Sequence, residues 1–347
     1  MNLENIFYPF SDEDFEKHAL ALFQYQYEKN EIYRSFCNML KVNIQNITTY
    51  TQIPFLPISF FKTHQVKTGE FEPDIEFRSS GTTGSDTSRH FVKDVKLYEN
   101  SFLKSFEYFY GNPHDYCFLA LLPNYLEQCS NEALPQSYKK HSSLIYMINR
   151  LISGSKYAES GFYLYNHEEL FEKLFTLKEK KIKTILFGVS FALLDFAEKF
   201  TGSFPDLIVF ETGGMKGRRP EIVKSELHQI LCNAFNVKHI HSEYGMCELL
   251  SQAYSSEQNL FATPPWMKIL LRDEKDPLHY SLSLTTGAIN VIDFANLHSC
   301  AFIATDDLGK RAANGMIEIL GRLDVSQIRG CNLMYSENLL YSPPKIH

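Results

Sequence analysis

Three apolar runs constrain the fold of this 347-residue chain more than any other feature. Tyr116–Leu122 stops at Pro123. Thr184–Val189 runs into a helical pattern at Ser190–Lys199. Leu207–Thr212 meets the paired glycines Gly213 and Gly214 before a helical pattern at Glu221–Phe235. Each run is too short for a helix of its own and too continuously apolar for a strand with one wet face, so each reads as a buried strand. A further helical pattern, Glu168–Lys180, precedes the second run. Buried strands alternating with helices specify an α/β architecture with largely parallel strands. Ligands of such sheets bind at the carboxyl ends of the strands.

The flanking segments read differently. Residues 11–42 carry apolar residues at helical spacing, opened by a capping box at Ser11-Asp-Glu-Asp14. Ile53–Phe61 is expected to be extended, because Pro54 and Pro57 exclude a helix interior. Glu76–Arg78 ends a strand, Asp94–Tyr110 and Leu144–Leu151 are helical, and Gly161–Tyr165 is a strand. After residue 265 the pattern turns to short strands such as Gly287–Asp293 and Met316–Leu320. No linker is visible before about residue 320, so the expected division is a core domain over 1–320 and a short segment over 321–347.

Composition narrows the function classes. The formal net charge is −7, and the densest basic run, Lys178–Lys183, reads as the solvated end of a helix. Nucleic acid is therefore not the expected partner. The seven cysteines are scattered, odd in number and without a Cys-x-x-Cys pair, which argues against a disulfide framework and a zinc site. The N-terminus lacks a signal-like apolar stretch, and the longest apolar run, Ile185–Leu194, is too short to span a membrane. A cytoplasmic protein is expected. With 28 Phe and 20 Tyr, either a thick aromatic core or an apolar substrate channel is available.

Five motifs carry chemistry. Ser79-Ser80-Gly81-Thr82-Thr83-Gly84 puts four hydroxyls and two glycines into one loop, which suits polyphosphate oxygens; alone, it is also an ordinary surface turn. Gly213, Gly214 and Met215 follow a strand, where glycines let a planar ring approach the backbone. Tyr244-Gly245-Met246-Cys247-Glu248 offers an aromatic ring to flank a base and a carboxylate for Mg²⁺, or a carboxylate at a helix N-terminus. Asp307, in Thr305-Asp-Asp-Leu-Gly309, can accept from ribose hydroxyls, and Arg322, in Gly321-Arg-Leu-Asp324, can contact ribose or phosphate.

Taken in order, these segments resemble the adenylate-forming superfamily, which includes the acyl-CoA synthetases. More narrowly, Pro54–Lys62, Arg78–Gly84, Ser142–Met147, Leu186–Asp195 and Ile328–Leu333 resemble the acyl-protein synthetase, or LuxE-like, family along nearly the whole chain. The resemblance implies the large N-terminal domain of that enzyme type with a truncated C-terminal segment. It implies ATP and Mg²⁺, a fatty or other carboxylic acid substrate, and an acyl reductase as partner. The 79–84 loop would hold the phosphates, Gly213, Gly214 and Tyr244 would bracket the adenine, and Asp307 and Arg322 would hold the ribose. Cys331, in Arg329-Gly-Cys, matches the acylated cysteine, and Arg329 favours its thiolate.

The chain also departs from the superfamily pattern. Ser85–Arg89 replaces the usual Pro-Lys-Gly, leaving Arg89 as a substitute cation. Cys247 stands where a threonine usually meets the α-phosphate. Too few residues follow Gly321 for the swinging C-terminal domain and its lysine. An acyl-CoA or acyl-carrier ligase, or a non-catalytic nucleotide- or acyl-binding subunit, are the alternatives.

Overall fold

A computed structural model describes residues 6–8, 10–79, 87–122, 142–213, 222–274 and 283–323. The chain forms two compact units, one from Met1–Glu70 with Pro265–His347 and the other from Phe71–Pro264. Both crossing points fall within the stretch expected to be one core domain, and no Gly/Ser-rich linker marks either.

The second unit is built on the anticipated sheet. Its strand order is β5 (Gly161–Phe162), β4 (Cys117–Leu121), β6 (Thr184–Val189), β7 (Ile208–Thr212), β8 (His241–Tyr244) and β9 (Ala253–Ser255). Neighbours are parallel except for β9, which runs antiparallel to β8, and a short strand, β10 (Leu260–Phe261), follows in the chain. Every residue of β4 and β6 is buried, as continuous apolar runs require. The helices are α4 (Val95–Tyr110), α5 (Ser143–Gly154), α6 (His167–Glu179), α7 (Ser190–Lys199) and α8 (Lys224–Phe235). Asp94 and Ser142 cap α4 and α5, accepting from Lys96 N and Ile145 N. A Cβ on Gly188 would stand 2.8 Å from Leu193 of α7, so this glycine lets α7 lie close against β6. A separate antiparallel hairpin pairs β2 (Ile75–Arg78) with β3 (Arg89–Val92), and its tip lies outside the described residues.

In the first unit, the expected single helical stretch is two helices, α1 (Asp12–Lys29) and α2 (Glu31–Met39), broken at Asn30. Ser11 caps α1 as its capping-box pattern predicts. Asn30 is extended and buried, and it does two jobs. Its Oδ1 accepts from Tyr33 N at 3.0 Å, starting α2, while its Nδ2 donates to Ser299 O at 2.9 Å. A long-range bond therefore interrupts a helix that periodicity alone would continue. The expectation of extended chain over Ile53–Phe61 holds through β1 (Leu56–Pro57), but α3 (Phe60–Thr63) begins once both prolines have passed.

The strands of this unit run β14 (Ile317–Arg322), β13 (Phe302–Arg311), β12 (Thr286–Asp293), β11 (Met267–Arg272), all antiparallel, with β1 parallel to the first part of β13. Phe15 stacks on Phe294 and Tyr33 on Phe302, so the aromatic-rich composition goes into packing here. No helix among the described residues is long and apolar enough to cross a membrane.

Replacing Asn30 with alanine removes a cap and leaves a buried carbonyl one donor short. The expected cost is about 2 kcal/mol, read as a lowered urea midpoint at unchanged slope.

Candidate active site

The carboxyl ends of β6, β7 and β8 meet at one buried carboxylate. Glu211, 1% exposed, accepts from Ser242 Oγ (β8) at 2.6 Å and from Ser190 Oγ (α7) at 3.1 Å. Lys224 Nζ (α8) lies 2.8 Å from Glu211 Oε1, and His228 Nε2 lies 3.6 Å away, beyond hydrogen-bond length. Desolvation is the largest influence on Glu211 and pushes its pKa up, but His228, Lys224 and Ser242 together outweigh it and hold it at about 2. Just beyond, Gly213 takes φ +71°, which explains why glycine follows this strand.

The second feature joins the neck and second strand of the β2–β3 hairpin to the Tyr-Gly motif. The neck of the β2–β3 hairpin is closed twice, by Ser79 N to Ser88 O at 3.1 Å and by Ser88 N to Ser79 Oγ at 3.0 Å. One face of the hairpin buries His90, whose Nδ1 donates to Cys247 O at 2.8 Å. Burial lowers the pKa of His90 to about 4, so the ring is neutral and this nitrogen carries its proton. Cys247 Sγ faces Ser88 O at 3.9 Å. The base of the candidate phosphate loop thus rests on the turn that holds Glu248. Arg89 stands opposite Arg78 across the hairpin, its guanidinium 5.4 Å from the Phe91 ring centre, while Arg78 pairs with Glu76 at 2.7 Å.

Tyr244 ends β8, edge-on to Phe261, and Gly245–Glu248 follow as a turn rather than the start of a helix. Glu248 is buried. Desolvation, then the charge and hydrogen bond of Glu248, push the Cys247 thiol well above its ordinary pKa, so it stays protonated and is not a nucleophile. Among the described residues no group of three or more His, Cys, Asp and Glu is arranged to hold a metal. A magnesium ion here would rest on Glu248 and take its remaining ligands from phosphate oxygens and water, which suits its ordinary coordination.

Sequence reasoning missed Glu243. Its Oε2 accepts from Thr212 Oγ1 at 2.8 Å, and its Oε1 lies where a Cβ on Gly245 would be. Desolvation raises its pKa to about 7, with Glu211 adding to the rise while Thr212 and Lys224 oppose it. A carboxylate inside an otherwise strand-like segment was the available signal.

In the first unit, Asp307 and Arg322 face each other across β13 and β14, with Arg322 Nε 3.9 Å from Asp307 Oδ1. Asp307 N donates to Thr305 Oγ1 at 3.2 Å. The buried Arg272 braces this stretch, donating from Nη2 to Thr305 O at 2.6 Å and from Nη1 to Ile289 O at 2.6 Å. Ser80, Gly81, Thr82, Thr83, Gly84, Gly214, Met215 and Cys331 lie outside the described residues.

Known proteins resemble the chain along most of its length. The family model "Acyl-protein synthetase, LuxE" matches residues 8–340. The chain is 24% identical to a long-chain-fatty-acid–luciferin-component ligase of Aliivibrio fischeri, over 92% of this chain and 86% of that one. It is also 24% identical to the ligase of the same name in Vibrio harveyi, over 91% and 85%. Among solved structures it resembles ATP-bound MatB from Rhodopseudomonas palustris, with TM-score 0.50 and 16% identity over 73% of this chain. The chain spans about half the length of that protein, 49%. The likeness shows the fold.

Because Glu211 has a folded pKa below its ordinary 4.5, its stabilising contribution is present above that value and is lost as pH falls toward 2. Glu211→Gln should cost about 3 kcal/mol at pH 7 and much less at pH 3, measured by denaturant unfolding at both values.

Proposed function

The chain belongs to the LuxE acyl-protein synthetase family, and from that premise we propose that it is a ligase that activates a fatty or other carboxylic acid with ATP. The acyl group then passes to a protein thiol, its own Cys331, and onward to a partner such as an acyl reductase. The two relatives are named for ligation of long-chain fatty acids to a luciferin component, which supports the substrate class. Among the described residues Cys37, Cys117, Cys232, Cys247 and Cys300 are unpaired, which fits a reducing, cytoplasmic setting.

The reaction has two halves. A carboxylate oxygen of the acid attacks the α-phosphorus of ATP, and pyrophosphate leaves. The Cys331 thiolate then attacks the acyl carbon of the mixed anhydride, and AMP leaves. In the first half the protein orients the reactants and offsets phosphate charge. The 79–84 loop and Arg89 take the phosphates, Glu248 holds Mg²⁺, Gly213, Gly214 and Tyr244 flank the adenine, and Asp307 and Arg322 take the ribose. Met215, Gly245, Met246 and Cys247 complete the nucleotide-binding backbone. The observation that supports this reading is the contact of Ser88 and His90, in the neck and second strand of the β2–β3 hairpin, with Cys247, next to Glu248.

The test is acid-dependent exchange of pyrophosphate into ATP, with labelling of the chain by radioactive fatty acid. Wild type should exchange and become labelled. Cys331→Ser should exchange normally with label reduced to background, and Glu248→Gln should lose exchange by roughly a hundredfold. No exchange with any acid would leave a non-catalytic binding subunit. Undiminished label on Cys331→Ser, or thioester formation with coenzyme A instead, would refute self-acylation.

A further inference from the structure

Glu243 has no place in the reaction above, yet it stands between two segments assigned to the adenine. Thr212 closes β7 immediately before Gly213, and its hydroxyl donates to Glu243 Oε2 at 2.8 Å. The other carboxyl oxygen, Oε1, lies directly against Gly245, and a Cβ there would collide with it. The Gln252 side chain borders the same glycine, its Cγ 3.4 Å from that Cβ position. Gln252 is 3% exposed, and its Oε1 has no hydrogen-bond partner. A buried acceptor without a donor is costly. Glu243 Oε1, which borders the same glycine, would be its donor when protonated.

We propose that Glu243 works as a neutral acid, accepting from Thr212 and donating to Gln252, and thereby positions Gly213 and Gly245 on either side of the nucleotide base. This rests on the adenylate-forming reading of the site. The groups facing Glu243 favour the neutral form. Burial opposes the charge, Glu211 on β7 repels it, and only Lys224 on α8 and the Thr212 hydroxyl oppose these effects. Two further titratable neighbours among the described residues are Tyr98 on α4 and Tyr254 on β9, both held protonated chiefly by burial. Loss of the Glu243 proton leaves two carboxylates near each other and returns Gln252 to an unpaired state. The competent fraction therefore falls as pH rises through about 7, and apparent nucleotide affinity falls with it.

The experiment is titration of the full-length protein with ATP from pH 6.5 to pH 8, on wild type, Glu243→Gln and Glu243→Leu. Glutamine reproduces the neutral acid, accepting from Thr212 and donating to Gln252 at every pH. Wild-type affinity should fall by up to about tenfold across this range relative to Glu243→Gln. The nucleotide's own titration is common to both proteins and cancels. Glu243→Leu should bind weakly throughout, and its folded state is checked by circular dichroism. Parallel affinities for wild type and Glu243→Gln at all pH values would overturn the proposal while leaving the ligase reading intact. Failure of wild type to bind ATP at any pH would overturn both.

Discussion

One buried carboxylate governs the carboxyl edge of the parallel sheet. An isolated ionised Glu in this position would cost several kcal/mol of lost hydration. Glu211 is tolerable only because Ser190, Ser242 and Lys224 reach it from α7, β8 and α8. Each partner belongs to a different element, so satisfying one charge fixes the relative placement of all of them. Gly213 leaves β7 from this anchored point, and Tyr244 leaves β8 two residues after Ser242. The segments assigned to the adenine are therefore held by the sheet itself rather than by flexible loops.

The phosphate side has a similar device with neutral groups. A neutral His90 donates to a backbone carbonyl, and a protonated Cys247 faces another. Neither interaction depends on titration near neutral pH. The hairpin neck and the Glu248 turn are thus locked together without adding charge where a polyphosphate would bring its own. Glu243 contrasts with both, being a buried carboxyl whose pKa near 7 makes its contacts sensitive to ordinary pH.

The strands and most helices were legible because burial writes itself into the sequence. Cys117–Leu121, Thr184–Val189 and most of Ile208–Thr212 are buried, and α5, between the first two, has its capping residue in Ser142. What escaped depends on tertiary contacts. Asn30 breaks a continuous periodicity because Ser299, far along the chain, offers it a carbonyl. His90, Lys224 and Gln252 look unremarkable in sequence, and their roles come from what packs beside them. Glu211 and Glu243 did leave a trace, since each is an acidic residue within a strand that is otherwise buried. Glu211 falls within the Leu207–Thr212 run read as a buried strand, and a buried charge demands partners. The ordered motifs pointed to the family by residue type and order; Gly213 and Tyr244–Glu248 stand at strand ends and a turn, whereas Asp307 lies within β13, where the sequence resembles a turn.

The family fixes the kind of chemistry, and the carboxyl edge of the second unit is the place proposed for it. A light-activated azido-adenine derivative of ATP tests this most directly, because its reactive group reports the surroundings of the base. Mapped by peptide mass spectrometry, ATP-protectable adducts should fall within residues 208–213 and 241–252. Adducts confined to other segments, or unaffected by competing ATP, would contradict the assignment.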